Sequence, residues 1–231
     1  GIGERSGYQG TPNSSVGFLI DDIDYSGQGG IATLFDVEQV EVFRGPQGSR
    51  TGANALAGLI YIKTKDPTEQ FEGLSEITIG DYGTQNLGIA FGGPTKNEKV
   101  KYRLVVRTDY ADGFRKNIFL NQSDTSKKDE LTIRYKLNWD ISETTDVNFL
   151  LSKVDMDDPA DIWTIDGSLN TLSDRPGMDS QETDSVGIKL LKNFNHFDLQ
   201  SFTSFTKTDV VFSYDADSVS YTHLTLPTIP G

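Results

Sequence analysis

The chain has 231 residues, enough for one or two domains. Hydrophobic residues make up 35% and glycine adds 23 more, an ordinary globular share that argues against disorder. The absence of cysteine excludes disulfide scaffolds and thiolate chemistry, two histidines (His196, His223) limit zinc sites, and a net charge of −13 opposes a nucleic-acid partner. No stretch reaches the roughly 18 apolar residues of a helical membrane span. A membrane β-barrel stays open, because alternating strands keep mean hydropathy low.

The opening, Gly1 to Ser6, has no Met, no basic region and no apolar region, so it reads as a start inside a domain. Val16 to Ile20 is a short apolar run expected to be a buried strand. Gly27-Gln28-Gly29-Gly30 reads as a loop, and residues 31–35 as a short helix. Residues 37–42 alternate with period two, as a strand does. Gly45-Pro46-Gln47-Gly48 is expected to turn, because Pro presets φ and Gly supplies positive φ. Leu56 to Ile62 reads as a further strand.

From Phe71 onward the pattern becomes uniform. Seven amphipathic strands are expected near 74–80, 85–92, 100–110, 131–140, 146–155, 184–193 and 197–213. In the fourth, Leu131, Ile133, Tyr135, Leu137 and Trp139 oppose Thr132, Arg134, Lys136, Asn138 and Asp140. A face carrying Arg and Lys would be costly inside a soluble two-layer core. The connections alternate short and long, as in outer-membrane barrels. Tyr82, Tyr110, Phe114 and Trp139 mark strand ends, as an aromatic girdle would. Pattern alone favours a barrel and leaves a β-sandwich open.

Residues 38–65 narrow the choice. The runs Glu38-Gln39-Val40-Glu41-Val42-Phe43-Arg44-Gly45-Pro46-Gln47-Gly48 and Gly52-Ala53-Asn54-Ala55-Leu56-Ala57-Gly58-Leu59-Ile60-Tyr61-Ile62-Lys63-Thr64-Lys65 closely resemble the plug signature of TonB-dependent outer-membrane receptors. Val16 to Ile23 resembles that family's strand ending in Val-Asp-Gly-Val. Thr51 departs from the family's Tyr, Ala57 from Gly, Tyr61 from Asn and Asp22 from Gly. The resemblance implies an α+β plug domain (residues 1–66), then an antiparallel all-β segment (67–217) forming about seven strands of a 22-stranded transmembrane barrel. It implies a partial chain, since seven strands cannot close that barrel and the TonB box and first plug strand are missing. Residues 218–231 carry no charge, resemble a translated sequencing-adapter tail, and read as non-native.

The function implied is energised import across the outer membrane of a Gram-negative bacterium. The partners implied are TonB, outer-membrane lipid and a scarce nutrient such as a ferric siderophore. Neither cofactor nor catalytic residue is implied. The plug motif residues are Glu41, Arg44, Gly45, Pro46, Gly48, Gly52, Asn54 and Gly58. Arg44 is expected to pair with wall carboxylates; the alternative is a solvated surface Arg. The glycines are expected to be conformational, since no Lys-Ser/Thr follows at phosphate-loop spacing. Asp155, Asp157, Asp158, Asp161 and Asp166 form an acidic stretch that reads either as a solvated loop or as a calcium site, although Ala160 stands where a calcium loop needs Gly. The rival functions are a soluble carbohydrate-binding-like sandwich and a β-rich hydrolase using two carboxylates. The sandwich requires Tyr102, Tyr135 and Trp139 to point into a closed core; the barrel requires them to face away from the plug.

Overall fold

The computed structural model describes residues 14–27, 33–48, 55–164 and 166–215. Two sheets account for most of them. The small sheet has the order β2-β1-β4-β3, built from β1 (Val16–Ile20), β2 (Ile23–Asp24), β3 (Val37–Arg44) and β4 (Gly58–Thr64). Strand β4 runs parallel to β1 and antiparallel to β3. It is flanked on both sides, and its run Gly-Leu-Ile-Tyr-Ile-Lys-Thr is correspondingly apolar, with Leu59 and Ile62 buried. β1 and β2 are joined by Asp21 and Asp22, both at positive φ (50° and 71°), as a type I′ hairpin turn requires. The short helix expected at 31–35 is not formed by its described residues, Thr33 to Phe35. They lead into a turn at Asp36, whose φ of 58° is incompatible with a helix.

The large sheet has seven strands: β5 (Glu72–Ile79), β6 (Gln85–Pro94), β7 (Val100–Ala111), β9 (Lys128–Ser142), β10 (Thr145–Pro159), β12 (Met178–Asn193) and β13 (Asp198–Ser213). Each pairs antiparallel with its neighbour in sequence, and the sheet is open. Connections 95–99, 143–144 and 194–197 lie at one end. Connections 80–84, 112–127 and 160–177 lie at the other. The two longest are tied together by a short parallel pair, β8 (Lys116–Asn117) with β11 (Asn170–Thr171).

The strand faces are inverted relative to a soluble sheet. Thr132, Arg134 and Lys136 of β9 are buried, whereas Trp139, Leu151, Val186, Ile188 and Phe205 are exposed. The register sets Leu104 opposite Tyr135, Tyr102 opposite Leu137 and Val100 opposite Trp139. Tyr102, Tyr135 and Trp139 therefore share the face opposite to Arg103, Arg134 and Lys136, because side chains alternate along a strand. No closed sandwich core forms around them. A wall with apolar residues outside and charged residues inside is the arrangement that lipid demands.

The small sheet lies on the charged side of this wall. Ile20, Ile23, Tyr25 and Ile62 pack with Leu150, Val154 and Met156 of β10, flanked by Phe202 of β13. Phe35 packs separately with Ala90 and Val105. The contact is close: a Cβ at Gly88 would fall 2.6 Å from the Phe35 ring, so only glycine admits that ring here.

Candidate functional site

The main polar feature is the seam between the two sheets. Four carboxylates of the small sheet and its exit meet cations of the wall. Asp36 accepts two hydrogen bonds from Arg103 of β7, Nε to Oδ2 at 2.8 Å and Nη2 to Oδ1 at 2.5 Å. Lys136 of β9 donates to Asp21 Oδ1, Asp66 Oδ1 and the Thr64 carbonyl, each at 3.0 Å. Lys189 of β12 donates to Asp22 Oδ2 at 3.0 Å. Arg134 of β9 donates to the Phe35 carbonyl oxygen. The small sheet is thus held to three wall strands by charge-assisted bonds around an apolar patch.

The backbone positions the acids. Asp21 is also fixed within its own sheet, its Oδ1 accepting from Thr64 N–H (2.9 Å) and its Oδ2 from the Thr64 hydroxyl (2.6 Å). Asp22 Oδ1 accepts from the Tyr61 hydroxyl at 3.2 Å. A crevice of about 130 Å³ opens beside these groups, lined by Asp21, Asp22, Lys63, Asp66, Lys136 and Lys189 among others. Burial pushes the Tyr25 phenol up, so that side chain stays neutral.

Partial burial raises the Asp66 pKa, but the Lys136 and Lys63 ammonium groups outweigh it and hold the carboxyl below its usual range. A depressed folded value contributes stability at neutral pH that is lost as the pH falls through it. Acidification below pH ~4 should therefore loosen the seam near residue 66. Proteolysis of the small sheet between pH 7 and 3 would show it, and Asp66→Asn should remove part of the acid dependence. Attachment indifferent to pH in this window would refute the assignment.

The residues singled out from sequence lie elsewhere. Arg44, at the end of β3, is exposed and makes no ion pair among the described residues. The described lock has the opposite polarity, with acids on the small sheet and cations on the wall. Glu41 accepts from Gln39 at 2.6 Å and does not reach the wall among the described contacts. Gly45 has a φ of 86° in its turn, and a Cβ at Gly58 would lie 2.5 Å from the Phe43 carbonyl oxygen. Pro46 is exposed beside Gly45, and Gly48 shows neither constraint. Gly52, Asn54, His223 and the segment 218–231 lie outside the described residues.

The fold disperses the acidic stretch. Asp155 and Asp157 point to one face of β10, while Asp158 points to the other and caps Asp129 N–H at 2.8 Å. Asp161 is buried between the two long loops. It accepts from Asn117 (2.9 Å), Thr171 (2.7 Å) and Ser173 (2.7 Å). Asp166 is exposed and accepts from Ser168 N–H. Among the described residues, no three His, Asp or Glu side chains converge as metal ligands.

The seam was legible only in halves. Arg103, Arg134 and Lys136 stand out as cations on the polar face of alternating strands. Asp21, Asp22 and Asp36 stand in turns and Asp66 just past β4, where Asp is ordinary and signals nothing about a partner.

A lipid-type wall with a small domain fixed to its charged side defines a class: an outer-membrane β-wall carrying an internal plug. Residues 2–59 match the family model of the TonB-dependent Receptor Plug Domain. A curated relative, the vitamin B12 transporter BtuB of Vibrio vulnificus, is 26% identical over 154 residues, covering 61% of this chain and 25% of that protein. Among solved structures, the ferric yersiniabactin uptake receptor FyuA of Yersinia pestis superposes with a TM-score of 0.78 at 19% identity, over 90% of this chain and 34% of that one. The alcaligin outer-membrane receptor FauA of Bordetella pertussis gives 0.67 at 15% identity, over 91% and 33%. The match over residues 2–59 and these likenesses make the chain similar to the TonB-dependent receptors of the Gram-negative outer membrane. It spans about a quarter of the curated relative and about a third of these solved receptors.

Proposed function

We propose that the whole protein is an active-transport receptor. It binds a scarce nutrient outside the cell, a ferric siderophore or a corrinoid-like molecule, and admits it to the periplasm when TonB displaces the plug. In this reading residues 1–66 belong to the plug, and residues 67–217 to the first strands of a 22-stranded barrel. The exposed apolar outer face meets lipid. Arg44 pairs with carboxylates on the part of the wall that closes over β3. No bond of the nutrient is made or broken, so no side chain has a catalytic task, and nucleic acid has no part.

The observation that carries the reading is the seam itself. The plug is held to the wall by discrete ion pairs around one small apolar patch, beside a crevice of about 130 Å³ wide enough for several waters. Polar contacts of this kind can be exchanged for water at moderate cost, so the domain can separate without the wall unfolding. The relatives' ligands define the test. The full-length receptor, expressed in cells, should accumulate one of radiolabelled cyanocobalamin, ferric yersiniabactin, ferric alcaligin or another labelled ferric siderophore. Accumulation should cease when tonB is deleted or the proton gradient is collapsed. Uptake that survives both treatments would overturn the proposal.

A further inference from the structure

Three of the four plug carboxylates at the seam sit on left-handed backbone: Asp21 (φ 50°), Asp22 (φ 71°) and Asp36 (φ 58°). The only other non-glycine residues with positive φ among those described are Tyr82 and Asn121. An L side chain in this region crowds its own carbonyl, and such conformations persist only where the surroundings over-determine them. In a two-residue hairpin turn with both central residues left-handed, the first is ordinarily Asn, Asp or Gly and the second Gly. At position 22 the chain carries Asp instead. Its side chain then gains Lys189 at 3.0 Å and the Tyr61 hydroxyl at 3.2 Å.

The three acids are not equally held. Asp36 is fully buried, with its side chain 0% exposed against an Arg103 that is 3% exposed. Asp21 is anchored to Thr64 as well as to Lys136. Asp22 and Lys189 are 33% and 28% exposed and line the crevice, where water can reach them.

We propose that the Asp21–Asp22 turn is a strained latch, with the Asp22–Lys189 pair as its first point of opening. The wall cation holds the turn in its left-handed form. When the pair breaks, the turn relaxes and β1–β2 leaves β12 while Arg103 still holds Asp36. Plug displacement then begins at this corner. The proposal rests on the reading that the plug moves against the wall.

The test is hydrogen exchange of the full-length receptor in detergent, with no nutrient and no TonB. Asp22→Ala and Lys189→Met should each raise exchange of the amides at residues 20–25 by roughly fivefold, the worth of a partly exposed pair. The double variant should exchange no faster than the faster single one, because both remove the same interaction. Exchange at residues 35–37 should stay at its wild-type rate. Asp22→Gly should exchange more slowly than Asp22→Ala, since glycine relieves the left-handed strain; at an unstrained site the order reverses. Additive effects, wild-type exchange in the single variants, or glycine exchanging faster than alanine would each overturn the latch. Such a result leaves transport untouched, whereas uptake independent of TonB would overturn the transport reading and leave the exchange result standing.

Discussion

Asp36→Asn should detach the Phe35 corner of the plug from the wall, with the largest loss of any single substitution at the seam. Asparagine tolerates the φ of 58° at this position and nearly matches the volume, so the change isolates the charge. Arg103 would keep its guanidinium in a site that is 3% exposed, with no hydrogen-bonded anion opposite. Its Nη1 already lacks a hydrogen-bond partner among the described residues, and Glu72 acts on the guanidinium only through space, without a hydrogen bond. Removing one member of a buried pair costs about 3–5 kcal/mol, because the other charge remains desolvated. Phe35 should follow, since its ring is held in the same corner by Ala90, Val105 and the space above Gly88. Hydrogen exchange and proteolysis at residues 33–48 of the full-length receptor would report the release. Arg103→Lys should give an intermediate loss, because an ammonium cannot reproduce the two-pronged bond. The pair Arg103→Gln with Asp36→Asn should recover part of the stability, since neither side then buries a bare charge. Wild-type protection in Asp36→Asn, or a double variant as exposed as the single one, would show that the pair does not hold the plug.

The second large effect is expected in the two long loops. Asp161→Ala removes one acceptor group that serves three donors on two loops: Asn117 in β8, and Thr171 and Ser173 in and beyond β11. All four side chains are buried, so the Thr171 and Ser173 hydroxyls lose this acceptor without gaining water, and Asn117 keeps only its bond to the Ser173 carbonyl at 2.8 Å. Stranding buried donors costs about 1–3 kcal/mol each and is not additive, which places the loss at about 3 kcal/mol for the cluster. The β8–β11 pair is two residues long and cannot survive that loss. Loops 112–127 and 160–177 should then become protease-sensitive together, while β9 and β10 remain protected. Loss in one loop alone would contradict the hub. Chelator treatment of the wild-type protein should leave both loops protected, because protein donors already occupy the Asp161 oxygens. A chelator effect equal to that of Asp161→Ala would instead identify a cation there.

These two sites also show how unevenly the chain can be read. The seven wall strands were legible because alternation is a local property: the polar face Thr132-Arg134-Lys136 and the apolar face Ile133-Tyr135-Leu137 are visible without a neighbour. Long and short connections were legible for the same reason, although the strands extend further than the alternation suggested, β12 beginning at Met178. The polar run Asp179 to Asp184 continues the ladder opposite β13, because backbone pairing does not need hydrophobic side chains on both strands. The short helix expected at 31–35 failed because a local apolar run was weighed without the docking of Phe35 against Gly88, which turns the chain at Asp36. Arg44 attracted attention because it stands in a dense motif, yet the described ion pairs run through acids in turns on both sides of that motif.

Alternation, turn chemistry and an ordered glycine-rich motif were enough to determine the wall, its apolar outer face and the likeness to TonB-dependent receptors. Each depends on residues within about ten positions of one another. Which acid meets which cation was decided only by the tertiary structure. Asp36 and Arg103 are 67 positions apart, Asp21 and Lys136 115, and Asp22 and Lys189 167. Ion pairing between such positions leaves no period in the chain. It depends on how one sheet is laid against another, and that placement comes from the packing of Ile23, Tyr25 and Ile62 against Leu150, Val154 and Met156.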